Sequence, residues 1–209
     1  MANIEVSNAF QVINFLDNFD SFDTSLWSKE THRLGRSYIT SKNVDVKGGY
    51  LKLNFPAKTY EGAEICSTSL YSYGTYTVRL KCPQAPGSIS TFFLYQGIPG
   101  DGNDEIDIEI YNDGTRRIMF TTWVNGTQTN TATCILVFDP SREYHEYRID
   151  FYQSEVSYYV DAQLLIRWTS GLPTNSMRLM SNAWWPTWLS GPKLRTQQTT
   201  SIDWIKITG

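Results

Sequence analysis

From Glu105 to Ile110 the chain alternates strictly between acid and isoleucine, in the run Asp104-Glu105-Ile106-Asp107-Ile108-Glu109-Ile110. Successive side chains of a β-strand point to opposite faces. Ile106, Ile108 and Ile110 therefore share one face, and Glu105, Asp107 and Glu109 share the other. Shorter runs of the same kind recur with turn signals between them. Tyr50 to Asn54 alternates after Gly48-Gly49. Gly74 opens a run from Thr75 to Lys81 that ends near Pro83, and Pro86-Gly87 introduces Ser88 to Tyr95. A loop over 97–103 precedes the acidic run, and Asn112-Asp113-Gly114 follows it as a strong turn. Ile118 to Val124 reads as the next strand, ending at Asn125-Gly126. Tyr147 to Trp168 reads as strands joined by turns at 153–155 and 161–163. Met177 to Trp185 and Ile202 to Ile207 complete the set.

No segment holds a helical period over several turns. There is no internal repeat, low-complexity tract or linker. The pattern predicts one all-β domain over 1–209, built as a jelly-roll β-sandwich of two packed antiparallel sheets.

Composition narrows the function classes. The 209 residues carry 18 Lys and Arg against 21 Asp and Glu, a net charge of -3. That is not the electrostatic footprint of a nucleic-acid binder. No apolar run approaches the roughly 20 residues of a membrane-spanning helix. Met1-Ala2-Asn3-Ile4-Glu5 shows no basic region leading into an apolar one, so a signal peptide is expected to be absent or already removed. The chain is rich in aromatics, with 7 Trp, 13 Tyr and 10 Phe. Most of these serve core and sheet packing, but flat rings also stack on sugars. The three cysteines, Cys66, Cys82 and Cys134, have no CxxC spacing, and His32 and His145 complete no zinc pattern.

Three carboxylates on one strand face repel each other, and repulsion drives pKa values apart. Groups with separated pKa values are what acid/base chemistry uses. Two other readings fit the same spacing: a solvated acidic face, and a calcium site made of clustered oxygens. For glycoside cleavage with retention, two carboxyl groups must stand roughly 5 Å apart. The Cα atoms of Glu105 and Glu109 lie about 13 Å apart in a straight strand. Twist, curvature and long side chains must close that gap.

The run Asp104-Glu105-Ile106-Asp107-Ile108-Glu109 resembles the signature of glycoside hydrolase family 16, and most of all its bacterial lichenases, the endo-1,3-1,4-β-glucanases. The likeness extends from Asn18-Phe19-Asp20-Ser21-Phe22 to Ile202-Asp203-Trp204-Ile205-Lys206. It includes Gly74-Thr75-Tyr76, Phe92-Phe93-Leu94-Tyr95, Tyr159-Val160-Asp161 and Met180-Ser181-Asn182-Ala183-Trp184. Single residues separate the acids, whereas laminarinase-like members usually insert one more before the last Glu. The resemblance implies a concanavalin-like sandwich with a substrate cleft across its concave sheet. It implies that Glu105 is the nucleophile, Glu109 the general acid and then base, and Asp107 the residue that tunes the nucleophile.

Further site residues follow from the same resemblance. Glu64, Tyr95, Trp123, Asn182 and Trp184 match substrate-binding positions, with Trp185 and Trp188 at the rim. The plainer readings are a salt bridge to Arg79 or a neighbour for Glu64 and core packing for the tryptophans. Cys66 stands where lichenases usually carry Arg, Thr121 where they carry Asn, Trp123 where they carry Tyr, and Asn103 where they carry Trp. The segment from His32 to Tyr38 does not reproduce their N-terminal cleft loop, and Ser37 and Gly62 replace their disulfide. No cofactor is required for the chemistry. A structural Ca²⁺ is implied, held by the carbonyls of Asn18 and Gly49 and the carboxylate of Asp203. Alternatively, Asp203 caps the terminal strand. Asn125-Gly126-Thr127 fits a glycosylation sequon, or is a plain turn.

The expected function is a secreted, monomeric, retaining endo-β-glucanase on β-glucan polysaccharide, most of all mixed-linkage glucan, with no nucleic-acid or membrane partner. The alternatives are a family 16 transglycosylase, a hydrolase of another β-glycan such as xyloglucan or laminarin, and a non-catalytic carbohydrate-binding sandwich. A Ser or Cys hydrolase has no support, since neither His lies in a nucleophile arrangement.

Overall fold

The computed structural model describes residues 14–98 and 102–209. Among them, seventeen strands and one 3₁₀ turn follow in chain order. The first six strands are β1 (Phe15–Asp17), β2 (Trp27–Lys29), β3 (His32–Leu34), β4 (Ser37–Ile39), β5 (Val44–Val46) and β6 (Leu51–Phe55). The turn, Ser41–Asn43, lies between β4 and β5. Next come β7 (Glu61–Tyr71), β8 (Gly74–Lys81), β9 (Ile89–Ile98), β10 (Gly102–Tyr111), β11 (Arg117–Val124) and β12 (Thr127–Ile135). The last five are β13 (His145–Tyr152), β14 (Glu155–Val160), β15 (Gln163–Trp168), β16 (Met177–Trp184) and β17 (Gln198–Thr208).

These strands form two sheets. One has the order β15-β14-β13-β8-β17-β6-β5, with β1 also on β17; the other has the order β12-β11-β10-β9-β16-β7-β4-β3, with β2 also on β7. One pair departs from the expected antiparallel pairing. β4 runs parallel to β7, through Tyr38 opposite Glu61 and Ile39 opposite Gly62. Between them the chain crosses to the other sheet as β5 and β6, and it returns in its original direction.

The inner faces share one apolar core. Ile106, Ile108, Ile110, Ile118 and Phe120 from one sheet meet Val78, Leu80, Tyr147, Ile149 and Phe151 from the other, all at 1% exposure or less. Each fully buried isoleucine contributes roughly 1.5–3 kcal/mol relative to exposure. A one-residue slip of β10 would exchange its isoleucines for carboxylates in that core, so the core sets the strand's register.

Several strands are not evident as alternation. β7 is buried on both faces from Gly62 to Ser67, so its pattern carries no period of two. β12 is an edge strand with mostly polar, exposed residues, and β1 to β5 are three residues each. The expected loop over 97–103 is shorter than its signal, because β9 runs to Ile98 and β10 begins at Gly102. Residues 99–101 lie outside the described residues. Asn125 and Gly126 both have positive φ, 50° and 77°, and close the β11–β12 hairpin between Val124 and Thr127. That is the two-residue turn that favours Asn-Gly. Trp185, expected at the cleft rim, is instead fully buried, edge-on to Phe55 and Tyr60. It follows Trp184 by one residue and so takes the opposite face.

Candidate active site

Pairing across the nine-stranded sheet arranges side chains into rows. One row runs Glu64, Asn182, Thr91, Glu109, Met119 across β7, β16, β9, β10 and β11. The next runs Cys66, Met180, Phe93, Asp107, Thr121, and a third holds Arg178, Tyr95, Glu105 and Trp123. Glu105, Asp107 and Glu109 thus stand in the middle of the sheet on the face opposite the isoleucines. An open cleft of about 760 Å³ lies over them. Its walls include Glu64, Tyr95, Trp123, Asn182 and Trp184, so the eight residues singled out for catalysis and substrate binding come together. Trp188, half exposed, meets Trp184 edge-on at 5.3 Å.

Each carboxylate has its own surroundings. Asn103 donates from Nδ2 to Oε2 of Glu105 at 2.6 Å. Thr121 donates to Asp107 from its hydroxyl, and Trp123 donates from Nε1 to that hydroxyl at 3.2 Å. The Tyr158 hydroxyl, reaching across the core, donates to the Thr121 carbonyl at 2.8 Å. Oε2 of Glu109 is buried and has no hydrogen-bond partner. A buried polar atom without a partner is costly.

Burial dominates the proton affinities. It pushes Glu105 up to about 7, against hydrogen bonds from Asp107 and Asn103 that favour its charged form. Burial and then the adjacent Asp107 push Glu109 up to about 8. Asp107 lies well above the usual carboxylate range, through burial first and then the charge of Glu105. Both Glu105 and Glu109 are thus raised toward neutrality, the range in which a carboxyl can give and take a proton.

A second polar network lies at the β7 end of the cleft. Glu64, 2% exposed, accepts from Nδ2 of Asn182 at 2.9 Å and meets Nε2 of His32 at 2.8 Å. Thr91 in turn donates to Oδ1 of Asn182 at 2.5 Å. Arg79, the alternative partner for Glu64, lies on the opposite sheet and pairs with Asp203. His32 was not expected here. Its Nδ1 faces the carbonyl of Arg33 at 3.2 Å, so both ring nitrogens face oxygen acceptors and the imidazolium form satisfies both. Burial pulls the His32 pKa down, but the hydrogen bond and charge of Glu64 more than offset it, leaving it raised. Glu64 itself is pushed up by burial. Nothing local in the sequence signals a contact between residues 32 positions apart. Cys66 is buried, and burial pushes its thiol up to about 11, which leaves it protonated and unreactive.

The model of the family described as glycosyl hydrolases family 16 matches residues 34–206. The chain belongs to that family. This family 16 chain is 33% identical to a beta-glucanase of Paenibacillus macerans, over 93% of its own length and 87% of the relative's. Its structure superposes on Bacillus licheniformis beta-glucanase with a TM-score of 0.86 and 28% identity, covering 94% of this chain and 98% of that one. A beta-1,3-1,4-glucanase (lichenase) derived from a mouse hindgut metagenome gives a TM-score of 0.84 and 29% identity, covering 93% of this chain and 98% of that one. The family 16 chain is therefore a glycoside hydrolase, and its fold is the family's jelly roll.

The residues implied for calcium lie away from the cleft, around β17. Asn18 follows Asp17, which pairs with Ile205, and Gly49 precedes Leu51, which pairs with Ile202. Among the described residues no group of three or more His, Cys, Asp or Glu side chains could hold a metal. Two carbonyls and one carboxylate oxygen still make an all-oxygen donor set that suits Ca²⁺ when waters complete it. Arg79 takes Oδ2 of Asp203.

The raised carboxyls have a stability consequence with a definite sign. Folded Glu109 holds its proton up to about pH 8, whereas the unfolded chain loses it near 4.3. Between those values the folded state binds more protons, so stability falls as pH rises. Glu109→Gln removes this penalty. Thermal melts at pH 7.5 should show the variant at least ~2 °C above the wild type, with the gap closing near pH 4. An equal gap at both pH values would contradict the assignment.

Proposed function

We propose that this chain is a retaining endo-β-glucanase whose preferred substrate is mixed-linkage 1,3-1,4-β-glucan. The observation that carries the reading is the row of Glu105, Asp107 and Glu109 beneath an open cleft, with Glu105 and Glu109 both raised by burial toward the neutral range where acid/base exchange is accessible. Its relatives named beta-glucanase and lichenase supply the substrate class. In the first step Glu105 attacks the anomeric carbon and the bond to the glycosidic oxygen breaks. The Glu109 proton passes to that leaving oxygen, and a covalent glycosyl-enzyme remains. In the second, Glu109 takes a proton from water, the water oxygen bonds to the anomeric carbon, and Glu105 is released. Asp107 shares a hydrogen bond with Glu105 and steadies its charge between the two steps. Glu64, Asn182 and His32 bind sugar hydroxyls, while Tyr95, Trp123, Trp184 and Trp188 offer ring faces.

The buried, unpartnered oxygen of Glu109 argues against a pure binding module, which gains nothing from such a group. Transglycosylation would use the same first step with a sugar hydroxyl in place of water. In this reading residues 1–209 act as one catalytic domain and as a monomer. The polymer cannot enter a cell, so the enzyme works outside it. No helix among the described residues is long and apolar enough to cross a membrane. Calcium at Asn18, Gly49 and Asp203 is a structural ion in this reading.

Reducing-sugar release from barley glucan, lichenan, laminarin, xyloglucan and carboxymethyl-cellulose tests the proposal. Release is expected from barley glucan and lichenan, with Glu105→Gln at least ~10³-fold slower and Glu109→Gln about 10²–10⁴-fold slower. Release from another polymer alone would reassign the substrate, and full activity in either variant would remove the mechanism. For the ion, millimolar Ca²⁺ should raise the melting temperature relative to a chelator, and identical melts would exclude it.

A further inference from the structure

The first residues of β10 are held closely by the β11–β12 turn. Gly102 has a φ of 97°, and a Cβ there would lie 2.5 Å from the Cα of Gly126. Only glycine allows the β11–β12 turn to press this close. Gly126 then donates its amide to the Asn103 carbonyl at 2.8 Å. One residue on, Asp104 is 1% exposed and accepts the Asn125 amide at 3.0 Å and Asn175 Nδ2 at 2.8 Å. Asn103 is thus fixed from both sides, and its side chain shares the cleft face with Glu105 two residues later. Opposite it stands Gly97, which has no side chain to compete for the space. The result is the 2.6 Å bond from Asn103 Nδ2 to Glu105 Oε2.

We propose that Asn103 is the positioning residue of the nucleophile: its amide holds Oε2 of Glu105 and leaves Oε1 to attack the anomeric carbon. The inference rests on the reading of Glu105 as nucleophile. It departs from the lichenase pattern, in which a Trp stands at this position and offers no amide. A carboxylate that rotates freely presents either oxygen to the sugar. One that is pinned loses less freedom on reaching the attack geometry. The same bond favours the charged form of Glu105 and opposes the burial that raises its pKa. The other titratable groups facing Glu105 act in both directions, with the Asp107 hydrogen bond on the same side as Asn103. Glu109 and Glu64 raise it by charge, Asp107 donates a hydrogen bond, and Tyr95 across the β9 pair is a neutral phenol. Trp123 across the β11 pair does not titrate. The Asn103 amide thus joins Asp107 as a donor that favours the charged nucleophile, and of the two it alone has no proton to lose by titration.

The test is the pH dependence of kcat/KM for Asn103→Leu and Asn103→Asp on the polysaccharide that the wild type cleaves best, with melting temperatures and Glu105→Gln alongside. Removing the donor with Leu should move the acid limb to higher pH by roughly one unit. Asp, of the same size but acidic, should move it further. In both variants kcat should fall more than KM rises. A merely structural role would lower stability without this order of pH shifts. If Asn103→Leu fails to fold, the near-isosteric Asn103→Asp carries the test alone. An acid limb unchanged in folded Asn103→Asp would overturn the proposal while leaving Glu105 in place. Full activity in Glu105→Gln would instead overturn the reading of the nucleophile beneath it.

Discussion

Packing of Ile106, Ile108 and Ile110 against the opposing sheet sets where every group in the cleft stands. These side chains are wholly buried, and a strand offers its two faces only in alternation. Fixing the isoleucines inward fixes Glu105, Asp107 and Glu109 outward, two residues apart. The neighbouring strands then add their own rows: Tyr95, Phe93 and Thr91 on one side, and Trp123, Thr121 and Met119 on the other. The chemistry is thus written into the sheet register, and hydrogen bonds refine it afterwards.

The arrangement works against stability in one respect. Three carboxyls are brought out of water and close together, and each is driven above its ordinary proton affinity. The surrounding structure answers with specific donors to two of them and with none to the third. Asn103 and Thr121 serve Glu105 and Asp107, while Glu109 is left with an unsatisfied oxygen. That inequality separates a carboxylate from a proton donor on one strand. The wide core behind β10, which includes Tyr158 and its bond to the Thr121 carbonyl, makes the cost bearable.

Much of this was legible in the chain. The alternation from Glu105 to Ile110 revealed the strand and its faces, Asn125-Gly126 revealed a turn, and the repeated short runs revealed a sandwich. What stayed hidden has physical reasons. β7 is covered on both sides, so it lacks a period. β12 is an edge strand with little apolar content. The parallel pairing of β4 with β7 depends on an excursion through the other sheet that no local signal records. His32 reaches Glu64 through tertiary folding alone. Trp185 and Trp184 are adjacent and identical in type, and only the register of β16 sends one to the core and the other to the cleft. The cleft carboxylates are legible in a local pattern together with a family resemblance; their raised proton affinities depend on the three-dimensional surroundings.

The most direct measurement is covalent trapping with an activated 2-deoxy-2-fluoro β-glucan oligosaccharide, followed by peptide mass spectrometry. The fluorine slows both steps, and the good leaving group lets the first one proceed, so the glycosyl-enzyme accumulates. The account predicts one sugar adduct, on the peptide containing Glu105 and on that side chain. An adduct on Glu109 or on another carboxylate, or an enzyme that turns over without any adduct, would contradict it.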